Sequence, residues 1–558
     1  MKDTIEKMLE IDKIKENKLY FIMKVILAFM FATSIFLNSI LVFTGDVSDK
    51  IHENYFSDIS IKNILVYIIS WFTAFIFITL IQIIVSKIKD TIYTDKERKT
   101  NSKKIFFIIL LILLICWLPY ILSYFPGGLY SDTARSINQA VGKEPYNNHH
   151  PILYALIIKI FIDIAKIILN GHIQIEQIQL GIELFTIFQV VIMASAISYF
   201  VCWLYKKKIS TKYIVIITLF FCFCRLVPLY AISLWKDTPF CIALFLYIIF
   251  IAEIICEKSK NLEEPKKIYI YMFLVLMVAF LRNNGIYIVT VMTITLILVY
   301  KSNKSINFRR FKQATIIEII CIIILQGPGY TYFKINTEAV ENFGIPMQQL
   351  CYVVAKDGKL TEEQTKFINQ LCPTAVIKTR YAPCFVDNIK WNKYFNNDFL
   401  ERHKGEFLKI WFEVFLKNPI SYIKSYFLST IGFWNVNKAT LNDAYVNPQM
   451  WENSDEYIGI KQSDYIQKTT GVSIRNILNP TFAVSPTIYL FIILLSALIT
   501  IYKKRYKNLI IYLPSIIVWL TLMLATPVAF SFRYMYILFL MVPFSLIIPF
   551  IKSDNEIS

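Results

Sequence analysis

The chain has 558 residues, of which 56% are hydrophobic and 16% aromatic, and its mean hydropathy is +0.51. A soluble globular protein is only about 45–50% apolar, so this composition excludes a soluble enzyme, a disordered chain and a fibrous protein. The formal net charge of +18 raises the question of nucleic-acid binding, but the positions of the basic residues answer it differently. The composition indicates a polytopic membrane protein.

Apolar runs long enough to form membrane helices recur along the chain. Spanning about 30 Å of hydrocarbon takes about 20 helical residues, and on this criterion we predict twelve spans, at 19–43, 62–86, 105–125, 181–205, 212–230, 238–256, 268–281, 286–300, 314–327, 483–502, 508–527 and 534–551. A thirteenth apolar run, 151–168, carries Lys159, Asp163 and Lys166 on one stripe of a helix. We predict that this run lies on the outer membrane face. The expected fold class is an all-α integral membrane protein.

Basic residues are concentrated in short connectors between these spans, at 87–104, 206–212, 258–267, 301–312 and 503–507. Short cytoplasmic loops collect Lys and Arg, and all five connectors can be cytoplasmic only if 151–168 does not cross the bilayer. Both termini are then cytoplasmic. We interpret the positive charge as the signal that orients the chain in the lipid bilayer. Nucleic-acid binding has no support.

This topology predicts four parts: an N-terminal tail with two additional transmembrane helices at 1–104, a transmembrane core at 105–327 with a first outer loop at 126–180, an extracytoplasmic domain at 328–482, and C-terminal transmembrane helices with a cytoplasmic tail at 483–558. In the outer domain, Thr361 is predicted to cap a helix, and the stretches 399–416 and 419–431 are amphipathic. The sequence leaves open whether Cys372 and Cys384 form a disulfide.

Ionisable and amide side chains from many segments are predicted at the outer rim of the membrane. Ionisable residues at membrane depth are costly, so they indicate function. We expect Asp132, Arg282 and Arg533 to meet in one pocket that opens to the exterior. The candidate substrate-binding residues around it are Tyr130, Asn148, His149, His150, Glu183, Arg225, Lys236, Arg282, Asn283, Asn284 and Arg533, and the candidate catalytic residues are Asp132 and Asp237.

The stretch LRNNGIY at 281–287 is predicted to break a long apolar run into a hairpin. The runs 268–281 and 286–300 together would form a helix of about 50 Å, which is too long for one span. The two arms are each short, so the tip at Arg282 is expected to lie below the outer surface in a polar cavity. The alternative is an ordinary exposed turn whose arginine reaches the interface.

Asp132 and Asp237 each admit two interpretations. A carboxylate in a water-accessible loop can accept a proton from a hydroxyl nucleophile, which predicts a catalytic role for Asp132. Alternatively, Ser131 or Asp132 caps a helix from Thr133 to Val141 that is closed by Gly142. Asp237 similarly assists catalysis, pairs with Lys236, or caps the span 238–256.

The remaining candidates suit an anionic substrate. The side chains of adjacent residues point in different directions, so His149 and His150 are poorly placed to bind one metal ion together. We therefore favour contact with an anion over metal binding. The cations Arg225, Lys236, Arg282 and Arg533 fit recognition of a phosphate whose charge develops as it leaves. The alternative is that these cations are structural partners of Asp132, Glu183 and Asp237.

The order of several motifs carries a family resemblance: FPGGLYSDTARSINQA, NNHHPILY, SLWKDTPF, FLRNNGIY, IPMQQL with LTEEQ, and a late RYMY. From about 105 to 551 the chain resembles an uncharacterised family of bacterial multi-pass membrane proteins that is usually placed among the GT-C type glycosyltransferases. The resemblance implies a polyprenyl-phosphate sugar donor and a cell-envelope glycan, polymer or lipid acceptor. It also implies that Asp132 is the acidic residue of the first outer loop and that 151–168 is the helical element of that loop. No second acid lies next to Asp132 in the sequence, so the sequence leaves open whether the site binds a divalent metal. No other cofactor is expected.

The expected function is therefore inverting sugar transfer at the outer face of a bacterial cell membrane, with Asp132 deprotonating or orienting the acceptor hydroxyl. A transporter or flippase for a lipid-linked or anionic envelope precursor is the main alternative, although we find no similarity between two halves of the chain. Polar residues lining the inner halves of the central spans would favour it. A third alternative is an acyl or phospho-group transferase that uses His149 or His150.

Overall fold

In a computed structural model, the chain is described over residues 18–42, 55–87, 92–93, 101–148, 151–171, 173–257, 262, 264–302, 306–333, 335, 339–436, 459–478, 485–525, 528–529 and 531–552. The described part of the chain is all-helical, with 78% of its residues in helices. Within these ranges there is no strand, only isolated β-bridges. The predicted all-α class is therefore confirmed.

The helices follow one another with short connections. Those before residue 330 are α1 (Lys18–Ile40), α2 (Ile61–Lys87), α3 (Ser102–Ser123), α4 (Ser131–Ala140), α5 (Ile152–Ile168), α6 (Gln174–Lys206), α7 (Thr211–Phe223), α8 (Leu226–Ala231), α9 (Asp237–Cys256), α10 (Pro265–Leu281), α11 (Gly285–Val299) and α12 (Ile306–Ile324). Those after it are α13 (Gly344–Ala355), α14 (Glu362–Leu371), α15 (Thr374–Arg380), α16 (Asp387–Lys390), α17 (Asn397–Arg402), α18 (Lys404–Lys417), α19 (Pro419–Ser429), α20 (Tyr465–Thr470), α21 (Arg475–Leu478), α22 (Pro486–Tyr502), α23 (Leu513–Leu524), α24 (Tyr536–Leu540) and α25 (Val542–Ile547). Turns of 3₁₀-helix at Tyr506–Tyr512 and Phe532–Met535 lead into α23 and α24.

Eight helical segments of the described residues are long and apolar enough to cross a membrane: Lys18–Ile40, Ile61–Lys87, Ser102–Ser123, Gln174–Lys206, Asp237–Cys256, Asn307–Tyr332, Tyr506–Leu524 and Phe532–Phe550. Each coincides with a predicted span. The other four predicted spans correspond to the shorter helices α7, α10, α11 and α22, of 13, 17, 15 and 17 residues. The chain thus has the helices of a membrane-embedded protein, while the count of twelve crossings stays a prediction.

Helix α9 and the C-terminal segment Phe532–Phe550 lie at the centre of the bundle. Within their most apolar windows, 89% and 83% of the residues are buried, against 11% for α2 and 17% for α3. A helix that is apolar on all sides must be covered by other helices or face lipid. Helices α2 and α3 therefore present most of their surface to lipid, whereas α9 and Phe532–Phe550 carry the residues that the other helices surround.

The predicted basic connectors gather at one end of the bundle. Tyr93 pairs with Ile209 through a β-bridge and donates its hydroxyl to Phe550 O at 2.9 Å. Lys503 Nζ donates to Val85 O at 3.3 Å, and Lys507 Nζ lies 5.6 Å from the centre of the Tyr300 ring. Three of the basic connectors thus contact each other, the C-terminal segment, or the adjoining ends of α2 and α11.

Helix α5 carries the charged stripe that its sequence predicts. Lys159 and Lys166 each place Nζ 2.9 Å from a carboxylate oxygen of Asp163. The opposite face packs on α6 so closely that a Cβ on Gly181 would lie 2.7 Å from Ile162 Cα. A glycine is therefore required where the two helices meet. That α5 lies on the outer membrane face stays a prediction.

The region after α12 is a layer of short helices. Helix α12 continues through a π-helical turn at Leu325–Gly329 and a final α-helical turn that ends at Tyr332. The helical segment therefore extends past the predicted domain boundary at 328. The expected cap at Thr361 is present as a reciprocal capping box with Gln364, and the amphipathic stretches form α17, α18 and α19. Cys372 and Cys384 are both buried free thiols, so this structure has no disulfide between them.

Candidate functional site

Asp132 and Arg533 form an ion pair at the end of the bundle opposite the basic connectors. Asp132 lies in the first turn of α4, and Arg533 lies in the 3₁₀ turn that begins the C-terminal segment. Arg533 Nη1 donates to Asp132 Oδ2 at 2.8 Å. The side chains are 17% and 24% exposed, so the pair is partly shielded from water but open to a ligand.

A short backbone pairing fixes the position of α4. Gly128 N donates to Ile232 O at 3.0 Å, and Leu234 N donates to Gly128 O at 2.9 Å. Thr133 Oγ1 then donates to Leu234 O at 2.6 Å. Gly127 has a φ of +125°, and a Cβ there would lie 2.4 Å from Ile232 O, so only glycine allows this approach. The loop 126–130 is thereby held beside the residues that precede α9.

Asp237 and Arg282 form a second ion pair. Asp237 is the first residue of α9 and is 1% exposed, and Arg282 follows α10 at the tip of the predicted hairpin. Arg282 Nη1 lies 2.9 Å from Asp237 Oδ1. Arg282 is only 13% exposed, which argues against the alternative of an ordinary exposed turn. Gly285 allows the hairpin to close, because a Cβ there would lie 1.9 Å from Val278 O.

Arg533 connects the two pairs, since its Nε lies 3.8 Å from Asp237 Oδ2. We call Asp132, Asp237, Lys236, Arg282 and Arg533 the charge cluster. Burial lowers the pKa of the Lys236 ammonium, an effect that Asp132 and Asp237 oppose and that the two arginines reinforce. With three basic residues and two carboxylates, the cluster suits an added anion.

The Asp237 carboxylate is the least satisfied member of the charge cluster. Its contacts with the two arginines are close in distance, but neither oxygen accepts a well-aligned hydrogen bond within the described residues. A buried polar atom without such a partner calls for an explanation, and a ligand or a water molecule supplies one. A hydroxyl group of a bound molecule is the type of donor that would satisfy it.

Aromatic rings enclose the arginines. Tyr130 stacks on Trp235 with ring centres 3.9 Å apart. Arg533 Cζ lies 5.4 Å from the centre of the Trp235 ring and 5.0 Å from that of Tyr534, and Arg282 Cζ lies 4.7 Å from the Tyr534 ring. Cation–π contacts of this kind hold a guanidinium in place while leaving its N–H groups available for a ligand.

The asparagines of the hairpin tie it to its neighbours. Asn283 Nδ2 donates to Asn148 O at 2.9 Å, and Asn284 Nδ2 donates to Thr521 Oγ1 at 2.9 Å. Asn283 and Asn148 therefore join the first outer loop to the hairpin beside the charge cluster. Asn284 instead attaches the hairpin to α23. These contacts keep Arg282 in place.

Four further predicted residues lie outside the charge cluster or outside the described residues. Glu183 accepts a hydrogen bond from Gln179 Nε2 at 2.8 Å on the part of α6 that contacts Lys461. Arg225 precedes α8, where its charge acts on Tyr120 and Cys224. Both lie outside the charge cluster. His149 and His150 lie outside the described residues, so the predictions about them, including the histidine-dependent transferase, stay predictions.

The capping interpretation of the two aspartates is not supported. Helix α4 begins at Ser131 with Tyr130 as its N-cap, and α9 begins at Asp237 with Lys236 as its N-cap. Neither N-cap side chain makes a capping hydrogen bond, and both carboxylates face arginines. Gly142 follows the end of α4 with a φ of +78°, as predicted for a closing glycine. Acidic residues in the first turn still interact favourably with the helix dipole.

A divalent metal does not fit the charge cluster as it stands. Asp132 and Asp237 both face guanidinium groups, and Lys236 adds a third basic residue. In the described ranges, no group of three or more His, Cys, Asp or Glu residues could hold a metal ion. A metal would have to displace arginines from both carboxylates, so we derive no step through one.

Sequence reasoning did not select Trp235, Tyr534 or Arg135 as site residues. Trp235 and Tyr534 lie directly beside selected residues, within SLWKDTPF and RYMY, and both contact Arg533. Arg135 lies on α4 and places Cζ 5.8 Å from the centre of the Trp391 ring. For Trp235 and Tyr534, the available signal in the sequence was an aromatic residue close to an arginine or lysine of the predicted site. No feature of the neighbouring sequence indicated Arg135.

A family model described as a family of unknown function, DUF6020, matches residues 142–558, more than half of the chain. The chain belongs to the DUF6020 family. No curated protein and no solved structure matches it. The DUF6020 match covers Lys236, Asp237, Arg282 and Arg533 and begins ten residues after Asp132.

Proposed function

We propose that this DUF6020 protein is a GT-C type glycosyltransferase that transfers a sugar from a polyprenyl-phosphate donor to a cell-envelope acceptor. The observation that carries the proposal is the alternation of Asp132, Arg533, Asp237 and Arg282 within ion-pair distance. Two fixed guanidinium groups that alternate with two carboxylates would provide both a phosphate site and a proton acceptor. The order of the motifs SDTARS, LWKDTP, LRNNG and RYMY, which resembles that family, supports the same conclusion.

The donor phosphate would bind to Arg533 and Arg282. Arginine binds phosphate through paired N–H donors, and here the Trp235 and Tyr534 rings hold the guanidinium groups in place. As phosphate engages Arg533, it competes with Asp132 for that cation. Asp132 then exchanges its contact with Arg533 for one with the acceptor hydroxyl. Donor binding and activation of the base are thereby coupled through one residue.

The reaction follows an inverting displacement. The acceptor oxygen attacks the anomeric carbon while its proton passes to Asp132, and the bond between that carbon and the phosphate oxygen breaks. The electron pair of that bond leaves with the polyprenyl phosphate. Arg282 and Arg533 stabilise the charge that develops on the leaving group. Asp237, whose oxygens lack well-aligned donors, would accept a hydrogen bond from a sugar hydroxyl.

The polyprenyl chain would lie between the helices on the lipid-facing side of the hairpin. Tyr287 follows the hairpin tip by five residues and is 61% exposed, and Ile294 on the same helix is 52% exposed. This exposed surface begins at Tyr287, in the first turn of α11. A lipid chain can therefore run along α11 while its phosphate reaches the charge cluster.

The charge cluster would face the cell exterior, with both termini in the cytoplasm. Lys- and Arg-rich connectors mark the cytoplasmic side, and the connectors in this chain meet at the opposite end of the bundle from the cluster. Residues 339–436 cover the cluster end. Ala529 N donates to Cys384 O at 3.0 Å, which links this layer to the segment that leads to Arg533.

The proposal is tested by mass analysis of cell-envelope polymers. A deletion strain should lack one sugar modification, and the wild-type gene should restore it. An Asp132→Asn variant should insert at normal levels and fail to restore it. Asp163→Asn, which changes an acid of α5 outside the charge cluster, should restore it. Full restoration by Asp132→Asn would remove Asp132 from the mechanism, and an unchanged envelope in the deletion strain would refute the proposal.

A transporter or flippase is the second candidate, and one observation favours it. Glu318 lies in the middle of α12, is 6% exposed, and has no hydrogen-bond partner for either oxygen among the described residues. Nearby, the Tyr271 hydroxyl lies 3.0 Å from Tyr247 Oη and 3.1 Å from Thr293 Oγ1. These groups lie in the middle of their helices, as a transport pathway requires. Loss of the envelope sugar in Glu318→Gln but not in Asp132→Asn would favour this candidate.

A further inference from the structure

A cleft of about 430 Å³ lies in the layer formed by α13–α19. It is lined by Val376, Thr379, Arg380, Trp391, Asn392, Lys393 and Tyr394, which come from α15 and from the turn after α16. This volume falls within the range of roughly 300–1,000 Å³ that is typical of sites for small molecules. The lining is mostly polar, so its ligand should be polar as well.

Basic residues dominate the charge of the cleft. Arg380 and Lys393 are exposed and have no carboxylate partner among the described residues. Two acids of the same layer, Asp387 and Glu341, each lie 2.9 Å from the buried Lys390. Both carboxylates contact Lys390, and the charged side chains that line the cleft itself are Arg380 and Lys393. Such a surface attracts an anion.

Exposed aromatic rings form the other part of the lining. Trp391 is 44% exposed and Tyr394 is 54% exposed. A sugar ring has an apolar face of C–H bonds that can stack on an aromatic ring of this kind. Rings that lie beside cationic side chains therefore suit a sugar that carries a carboxylate or a phosphate group.

The cleft is connected to the charge cluster through α4. Arg135 lies three residues after Asp132, about one helical turn along α4, and its guanidinium lies 5.8 Å from the centre of the Trp391 ring. A chain held on Trp391 would thus pass Arg135 before reaching Asp132. This contact orients the cleft toward the proton acceptor.

We infer that this cleft binds an anionic glycan, a sugar chain bearing carboxylate or phosphate groups, and presents it as the acceptor. The binding itself rests on Arg380, Lys393, Trp391 and Tyr394, and only the role as acceptor rests on the proposed transferase. Arg380 and Lys393 would pair with the anionic groups, and Trp391 would stack on a ring. Arg135 would guide the chain toward Asp132.

The test is a binding titration of the full-length protein in nanodiscs of neutral lipid. The probes are tetragalacturonate, which is anionic, and maltotetraose, a neutral tetrasaccharide. Tetragalacturonate should bind and maltotetraose should bind at least tenfold more weakly. The double variant Arg380→Ala/Lys393→Ala should lose about tenfold or more in affinity for tetragalacturonate, since each lost contact is a charge-assisted hydrogen bond.

The matched control is Lys366→Ala/Lys409→Ala, which removes the same charge from exposed positions of the same layer outside the cleft. It should bind normally, and equal weakening in both double variants would overturn the inference, as would equal binding of the two probes. Nanodiscs containing phosphatidylglycerol should not compete. Competition would assign the cleft to a lipid headgroup instead.

Trp391→Ala separates stacking from charge. It should weaken tetragalacturonate binding and leave the salt dependence of binding unchanged. An unchanged affinity would show that Trp391 does not stack on the sugar. Asp132→Asn should bind like the wild type. Normal binding together with absent transfer in the wild type would refute the proposed function alone, whereas normal transfer without binding would refute this inference alone.

Discussion

Arg533 Nη1 lies 2.8 Å from Asp132 Oδ2 although the two residues are 401 positions apart in the chain. This contact joins the beginning of the transmembrane core to the last transmembrane segment. Through Arg533 Nε the same side chain also reaches the buried Asp237. One arginine thus bridges two carboxylates that come from different helices.

We expect Arg533→Gln to destabilise the protein by about 3 kcal/mol, because removing one partner of a shielded ion pair leaves the other uncompensated. Asp132 and Asp237 would then repel each other across the site. Unfolding of the detergent-solubilised protein, followed by its intrinsic fluorescence, measures this change.

The double variant Asp132→Asn/Arg533→Gln checks the cause. It should be more stable than the sum of the single changes predicts, with a coupling energy of about 1–2 kcal/mol. Strict additivity would mean that the contact contributes nothing to folding.

The clustering of Asp132, Asp237, Arg282 and Arg533 could be expected from the sequence, but their pairing could not. Hydropathy and the basic connectors assign each residue a depth in the membrane, and residues at equal depth can meet. Depth does not determine lateral position. The sequence suggests Lys236, the neighbour of Asp237, as its partner, whereas helix packing brings Asp237 to Arg282.

Glu183 and Arg225 illustrate the same limit. Both were assigned to the outer leaflet with the other candidates, yet Glu183 faces Gln179 and Arg225 lies beside Tyr120. Which face of a helix points to the site depends on its rotation within the bundle. For α6 the apolar pattern does not identify the face that points to the site, because 61% of the residues in its most apolar window are buried.

Gly285→Ala should disrupt the hairpin between α10 and α11. The added Cβ would lie 1.9 Å from Val278 O, so the two arms must separate, at a cost of about 1–3 kcal/mol or more. Arg282 would then move away from Asp237. The yield of folded protein by size-exclusion chromatography measures the effect.

Gly327→Ala is the control for this change. It also adds a methyl group to a glycine in a membrane segment, but a Cβ there meets no atom within 4 Å. Its yield should equal that of the wild type. A normal yield for Gly285→Ala would show that the close approach of the two helices is not required.

Cys351, Cys372 and Cys384 should resist alkylation in the folded protein. Burial raises the pKa of the Cys372 thiol to about 11, and it raises those of Cys351 and Cys384 as well. At pH 8 only about one Cys372 in a thousand would be the reactive thiolate. Mass spectrometry after iodoacetamide treatment should find these three cysteines unmodified.

Denaturation without a reducing agent provides the control for the cysteines. All three should then react in full, because the structure holds them as free thiols. If Cys372 and Cys384 stay unmodified until a reductant is added, they form the disulfide that the sequence left open. Rapid labelling in the folded state would instead contradict the burial of the thiols.

Arg282→Lys should weaken binding of the donor more than it slows the chemical step. Lysine keeps the charge that faces Asp237, but it loses the planar group that stacks on Tyr534 at 4.7 Å and offers paired donors to phosphate. We expect KM for the polyprenyl-phosphate donor to rise about tenfold while kcat changes little. Arg402→Lys, at an exposed end of α17, should leave both constants unchanged. If kcat falls while KM stays constant, Arg282 acts on the leaving group in the transition state and does not anchor the ground-state phosphate.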